Sequence, residues 1–233
     1  MNPDTFPYTM IKIHHRLSIF VPLKISLMPK NSQPGNTEEY FQKFRKHLQK
    51  TITVSDEDFE HLAACFTVKH ISKKDYLIQP LQVCRYESYV VKGLFQTSIV
   101  DDSGRMHTLY FPHEDWWVSD FKSFKTEKGS NMEIQALEDA VLLQISKPAL
   151  EKLFLTLPSF ERFFRILNEN AGISLQDRIV QNLSHNAEKK YHEFHRKYPA
   201  LHNRLSQKII ASFLGVTPEY FSQMLKRQKS ENS

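Results

Sequence analysis

SQKIIASFLGVTPEYFSQMLKR, residues 206–227, has the pattern that two short helices need when they cross at a steep angle. Ile210, Ala211, Leu214, Val216, Phe221 and Met224 fall where such helices bury side chains, with Ala211 at the point of closest approach. Gly215 stands where the first helix ends and the chain must turn with positive φ, a conformation that strains any residue with a Cβ. Thr217-Pro218-Glu219 then restarts a helix: threonine accepts a bond from an orphan N–H, proline suits the first helical position, and the glutamate meets the positive end of the dipole. The outer side of the second helix carries Glu219, Tyr220, Ser222, Gln223, Lys226 and Arg227, a polar and basic set that fits a major groove. An ordinary helical hairpin with a solvated face is the plain alternative. The small residue, the glycine and the apolar positions coincide with basic surroundings, which favours a DNA reader.

Charge is distributed to match. Residues 176–229 hold ten Lys and Arg against four Asp and Glu, with four histidines besides, whereas the whole chain has a formal charge of +5. A basic end on a near-neutral body is what phosphate contacts require, since each neutralised phosphate releases condensed counterions. At 233 residues and 40% hydrophobic content the chain can bury a sizeable core and is long enough for two domains. Cys65 and Cys84 make no metal-type spacing, so a reducing cytoplasm is the expected setting and a four-cysteine iron–sulfur cluster is excluded.

The first 37 residues read as a leader. Leu17 to Met28, LSIFVPLKISLM, lies behind His14-His15-Arg16 and superficially resembles a secretory signal, but it is too short to span a bilayer and is interrupted by Pro22 and Lys24. A polar, turn-rich stretch follows instead of a cleavage site, so the expectation is an upstream extension of a chain whose true start is Met28. From Glu38 the period is helical, through Tyr40, Phe41, Phe44 and Leu48, and a second helix opens at Ser55 with acidic residues in its first turn. From Phe66 the period becomes two. Strands are expected around 68–71, 76–79, 86–92, 95–100, 107–111, 132–137 and 141–145, with a hairpin at Asp101-Asp-Ser-Gly104 and a turn or bulge at Gly93. This middle part reads as a small antiparallel barrel or roll. After Lys147-Pro148 a stripe of Phe160, Phe163, Phe164, Leu167, Ala171, Ser174 and Leu175 marks a long helix, read as a dimer seam rather than as core. A two-fold dimer sets two reading helices one duplex turn apart, roughly 34 Å, so the operator is expected to be an imperfect palindrome.

In this order of elements the chain resembles the catabolite activator (Crp/Fnr) family of bacterial transcription regulators. The resemblance covers about residues 38–229 and is most specific in VVKGLFQTSIVDDSGRMHTLYF (90–111), IQALEDAVLLQISK (134–147) and the 206–227 stretch. Trp116, Trp117 and Asp120 in a WW-x-x-D segment, together with YPALHNRLSQKIIASFLGVTPEYFS (198–222), are similar to the branch common in Bacteroidetes. The resemblance implies an α+β chain with a cyclic-nucleotide-binding-like β-roll at 38–148, a dimerisation helix at 149–183 and a winged helix-turn-helix at 184–233. It also implies a homodimer on double-stranded DNA, in the cytoplasm, with RNA polymerase as a further partner and no membrane.

Departures from the family pattern are specific. Family members that bind cyclic AMP use a glutamate for the ribose and an arginine for the cyclic phosphate. Here the arginine position falls at Ser130, the next two at Asn131 and Met132, and the glutamate position near Asp120. A buried phosphate without its guanidinium costs several kcal/mol, which argues against cyclic AMP in the usual mode. Trp116 and Trp117 can stack on some other planar effector, with Asp120 and Gln135 as polar anchors; core or hinge packing is the simpler reading of both rings. No cofactor is required. In the reader, Pro218 and Gln223 replace two arginines of the family's familiar face and Glu219 is kept. Glu219 and Gln223 are the expected base readers, while Ser206, Gln207, Thr217, Tyr220, Ser222, Lys226 and Arg227 are placed on phosphates.

Two rival classes remain. A metal-binding enzyme rests on His185, His192, His195 and His202, of which His192 and His195 share a helical face, but no HExxH pattern, phosphate-cradling loop or nucleophile elbow accompanies them. No catalytic or metal residue is therefore nominated. A small-molecule-sensing module acting through protein partners is the other rival.

Overall fold

The structure, a computed structural model, describes residues 34–231, so the expectations for the apolar run at 17–28 and for a start at Met28 lie outside the described residues. Helix α1 (Pro34–Gln49) begins ahead of Glu38 and buries Tyr40, Phe44 and Leu48, spaced one helical turn apart. Helix α2 (Asp56–Ala63) starts where the hydroxyl of Ser55 accepts the Asp58 N–H at 3.1 Å, with three carboxylates in its first turn.

Eight strands follow: β1 (Thr67–Ile71), β2 (Tyr76–Ile78), β3 (Tyr86–Lys92), β4 (Phe95–Val100), β5 (Met106–Tyr110), β6 (Trp117–Val118), β7 (Glu133–Ala136) and β8 (Ala140–Ser146). They form two four-stranded antiparallel sheets in the orders β1-β8-β3-β6 and β2-β7-β4-β5. In the first sheet Tyr89 sits opposite Leu143 and Trp117, and this face packs on α1, with the Phe44 and Tyr89 rings 4.8 Å apart. The alternate positions Ser88, Gln144 and Val118 share the other face, because side chains alternate along a strand. Gly93 turns β3 into β4 at φ +109°, and a Cβ there would lie 2.6 Å from that of Ala140, so no other residue fits. The short helix α3 (Phe121–Thr126), which the periodicity did not single out, joins β6 to β7 and is capped by Asp120, whose carboxylate accepts the Ser123 N–H.

Helix α4 (Lys147–Thr156) ends at Leu157, and Pro158 opens α5 (Pro158–Ser184), whose 27 residues extend about 40 Å at 1.5 Å each. The expected dimer stripe divides along this helix. Phe160, Phe163 and Phe164 are 0%, 3% and 7% exposed inside the chain's own core, where Trp117 meets Phe164 edge-on at 4.7 Å. Leu167 is half-buried against the same core, whereas Ala171, Ser174 and Leu175 are exposed. Farther along, Ile173, Ile179, Val180 and Leu183 join Leu175 as exposed apolar residues. The phenylalanines are thus held by the roll and α1, and the free apolar surface of α5 lies in its C-terminal half.

Three helices complete the chain: α6 (Ala187–Lys197), α7 (Gln207–Leu214) and α8 (Pro218–Glu231). Asn186 caps α6 through the Lys189 N–H. No strand that would build a wing occurs with them among the described residues.

Candidate nucleic-acid interface and its roll contacts

Helices α7 and α8 form the helix-turn-helix that residues 206–227 encode. The Ser206 hydroxyl faces the Ile209 N–H at 3.4 Å and caps α7. Gly215 takes the left-handed conformation at φ +78°, and the Val216 N–H returns to the Ala211 carbonyl at 3.1 Å, closing the helix end. The Thr217 hydroxyl then accepts the Tyr220 N–H at 3.2 Å, and Pro218 is the first residue of α8. Ala211 is fully buried, as are Ile210, Leu214, Phe221 and Met224 to within 2%, and Tyr191 of α6 meets Phe221 edge-on at 5.2 Å. Val216 is half-buried at the rim of this cluster.

The outward set is free. Glu219, Tyr220, Gln223, Lys226 and Arg227 are exposed and Ser222 is half-exposed. The guanidinium of Arg227 lies 6.0 Å from the Tyr220 ring, so the two side chains lean on each other along α8. Exposed Ser206, Gln207 and Thr217 stand at the N-terminal ends of α7 and α8, where orphan N–H groups and the helix dipole favour phosphate.

In the roll, the residues expected around an effector separate. Trp117 is packed among Phe66, Tyr89, Phe163 and Phe164 of the core. Trp116 lies instead against His113 at 4.7 Å and Tyr198 at 6.0 Å. Asp120 and Ser130 do meet: the buried Ser130 hydroxyl donates to the Asp120 carboxylate at 2.6 Å. Asn131 is exposed, and Gln135 donates to the Lys74 carbonyl at 2.9 Å. An open cavity of about 380 Å³ lies elsewhere, between Leu77, Ile78, Cys84 and the Ser88–Gln144 pair, with Lys69 and Arg85 also on its lining. None of Trp116, Trp117, Asp120, Ser130, Asn131 and Gln135 lines it, although Ser119 does.

Sequence reasoning did not single out Glu87. It is 6% exposed, and burial pushes its carboxyl up to about 7 despite a hydrogen bond from Ser119. Separately, Asp120, buried and hydrogen-bonded to Ser130, places a carboxyl group beside the position where the family pattern holds an arginine, the reverse of what a cyclic phosphate needs.

The largest surprise is how the helix-turn-helix meets the roll. Leu94 and Phe111 belong to the same buried cluster as Phe194, Ile210 and Phe221, so two roll residues complete the core of α6–α8. Arg204 donates to Glu138 at 2.9 and 2.6 Å and to Glu114 at 2.8 and 3.1 Å. Both carboxylates hold its guanidinium well above its ordinary pKa. Burial works upward on Glu114, but Arg204 and the Gly93 N–H bring its carboxyl below the usual value. From α5, Arg178 stacks on Phe213 at 3.8 Å and donates to the Thr108 and Phe213 carbonyls at 2.9 and 3.1 Å; burial lowers it to about 10, so it stays charged at neutral pH. The Ser212 hydroxyl accepts from Thr108 N–H and Oγ1 at 3.1 and 3.0 Å and donates to the Met106 carbonyl at 2.9 Å. These pairs are 35 to 106 residues apart in sequence, beyond the reach of any local pattern.

His195 and His202 rings are 4.9 Å apart, and Tyr191 Oη lies 3.4 Å from His202 Nδ1, but no group of three or more metal-ligating side chains occurs among the described residues. Nor, among them, is any helix long and apolar enough to cross a membrane.

The described residues thus form a β-roll, a long helix and a C-terminal helix-turn-helix. No family model matches the sequence, and no curated protein matches it. Among solved structures, the chain is similar to the c-di-GMP responsive global regulator CLP of Xanthomonas campestris, with a TM-score of 0.62 at 15% identity over 74% of this chain and 91% of that one. FixK2 of Bradyrhizobium japonicum gives 0.61 at 15% identity over 72% and 86%. A proposed transcriptional regulator of the crp/fnr family from Eubacterium rectale gives 0.60 at 16% identity over 83% and 88%. At these identities the likeness is one of fold.

Proposed function

We propose that the chain is a homodimeric, sequence-specific transcription regulator that binds a palindromic site in double-stranded DNA, in the cytoplasm, with RNA polymerase as a further partner. The observation that carries this is the helix-turn-helix. Ala211 is buried at the crossing, Gly215 is left-handed at the turn, and a polar and basic α8 face is left uncovered while the opposite side is packed. Glu219 and Gln223 read base edges, while Ser206, Gln207, Thr217, Tyr220, Ser222, Lys226 and Arg227 hold phosphates, with Pro218 setting the start of α8. The exposed apolar residues of α5, at 173, 175, 179, 180 and 183, supply the seam between two copies. The residue pattern also favours the Bacteroidetes-type branch, on the Trp116-Trp117-x-x-Asp120 segment.

Cyclic AMP in the usual mode is not the effector, in this reading, because Ser130 stands in the arginine position and its buried partner Asp120 opposes an anion. Any effector enters the 380 Å³ cavity rather than the space beside the tryptophans. Selection of duplexes from a random pool by the purified protein, with no ligand added, tests the proposal. Enrichment of a two-fold symmetric site is the expected result. A folded dimer that enriches nothing would favour the sensing module that acts through protein partners.

A further inference from the structure

The contacts between the roll and α6–α8 use the side of the helix-turn-helix that DNA does not need. Ser212 and Phe213 of α7 face β5 and Arg178, Arg204 faces Glu114 and Glu138, and Tyr198 faces Trp116. Glu219, Gln223, Lys226 and Arg227 of α8 remain exposed in this arrangement. Docking and reading are thus compatible in one pose. Separation would be costly, because Leu94 and Phe111, 0% and 3% exposed, would be uncovered together with Phe194 and Phe213. Three polar ties would break at the same time, two of them built on arginines.

We propose that the roll surface formed by β5, the 111–116 segment and Glu138 is a clasp that holds α6–α8 in the DNA-competent pose, so that reader and roll bind DNA as one rigid unit. The inference rests on the DNA-reading proposal and adds to it that the docked state is the active one. A fixed pose gives each half-site contact a high effective concentration for the second; a reader swinging on the connection after α5 loses that advantage.

The test is a reversible lock. Thr108 Oγ1 and Ser212 Oγ are 3.0 Å apart, which suits a disulfide between Thr108→Cys and Ser212→Cys. The pair is placed in a Cys65→Ser background, leaving the buried Cys84. The probe is the symmetric duplex most enriched by the wild-type protein. Oxidised protein is expected to bind it within about threefold of the reduced form. A loss of tenfold or more on oxidation, restored by reduction, would show that the docked pose is inactive and overturn the proposal; failure of the disulfide to form would overturn it too. If wild-type protein enriches no duplex, the DNA reading itself falls and takes the clasp with it. As a second variant, Arg204→Glu sets a third carboxylate against Glu114 and Glu138. It is expected to lower affinity for the symmetric duplex at least tenfold and for a single half-site no more than threefold, with helical content unchanged by circular dichroism. Unchanged or higher affinity for the symmetric duplex would refute the clasp.

Discussion

Phe111→Ala removes the roll's main apolar contribution to the core of the helix-turn-helix. The ring is 3% exposed and lies 6.0 Å from Phe194 and 5.2 Å from Phe213. An aromatic side chain of this kind buries roughly 150 Å² or more, which at about 25 cal/mol per Å² is close to 4 kcal/mol. Truncating a buried phenylalanine to alanine costs about 3–5 kcal/mol once the residual cavity is included. Because the lost contacts lie between two parts of the chain, the loss should appear first as undocking. Hydrogen exchange, read by peptide mass spectrometry, should show protection falling in α6–α8 before it falls in β3 and β8, and urea unfolding followed by circular dichroism should lose its single transition. Phe121→Ala is the matched control: its ring is 58% exposed and its removal should change stability by about 0.5 kcal/mol or less. A Phe111→Ala loss under about 1 kcal/mol, or equal loss of protection in the roll and the reader, would refute the view that this residue joins them.

Other expectations follow from single sites. Glu87 has a folded-state carboxyl pKa of about 7 against an ordinary 4.5, so the folded chain binds its proton more tightly than the unfolded one. Stability is then greatest below the ordinary value and falls as pH rises toward 7, by at most about 3 kcal/mol; Glu87→Gln should flatten that slope in urea titrations run at successive pH values. Gly215→Ala places a Cβ at φ +78° with nothing within 4 Å of it, so backbone strain of about 1–2 kcal/mol is the whole expected cost, measured by thermal unfolding. Gln223→Ala should relax preference at one base pair by roughly 1–3 kcal/mol, whereas Lys226→Ala should weaken all duplexes alike and reduce the salt dependence by about one phosphate. Equal effects of both substitutions on every duplex would overturn the division between base and phosphate contacts.

Much of the architecture was legible because its signals are local. Tyr86–Lys92 and Phe95–Val100 were marked by strand composition with Gly93 between them, and the hairpin at 101–104 joins β4 and β5 as its turn residues dictate. The helix-turn-helix was legible for the same reason: Gly215, Thr217 and Pro218 each act within four residues of their own position. The α5 stripe was ambiguous, because spacing by three and four gives the same pattern whether a face meets a second copy or the chain's own roll. Only the fold shows that Phe160, Phe163 and Phe164 are already covered. The adjacent tryptophans were equally undecidable, since alternation along β6 sends Trp117 inward while Trp116 stays outside the strand against Tyr198. Arg204 gave no signal at all; an arginine in a basic segment reads as a phosphate contact until Glu114 and Glu138 are brought to it from 90 and 66 residues away.

The carboxylate partners of Arg204 bear on the basic end of the chain as a whole. Of the positive groups near the reader, Arg178 and Arg204 are committed to carbonyls and carboxylates within the chain, while Lys226 and Arg227 are exposed on α8. For the proposed DNA binding, net charge alone therefore overstates the number of phosphate contacts and hence the expected salt slope. The committed pair does different work: Arg178 binds α5 to β5 and α7, and Arg204 binds α7's approach to the roll. With the N-terminal half of α5 buried by its phenylalanines and its C-terminal half carrying both Arg178 and the exposed apolar residues, one helix touches the roll, the reader and the surface open to a second copy. In the proposed dimer, a displacement at that surface would be carried into α7 and α8 through packed side chains rather than through a loose connection, so the proposal predicts that half-site spacing is as strongly selected as half-site sequence.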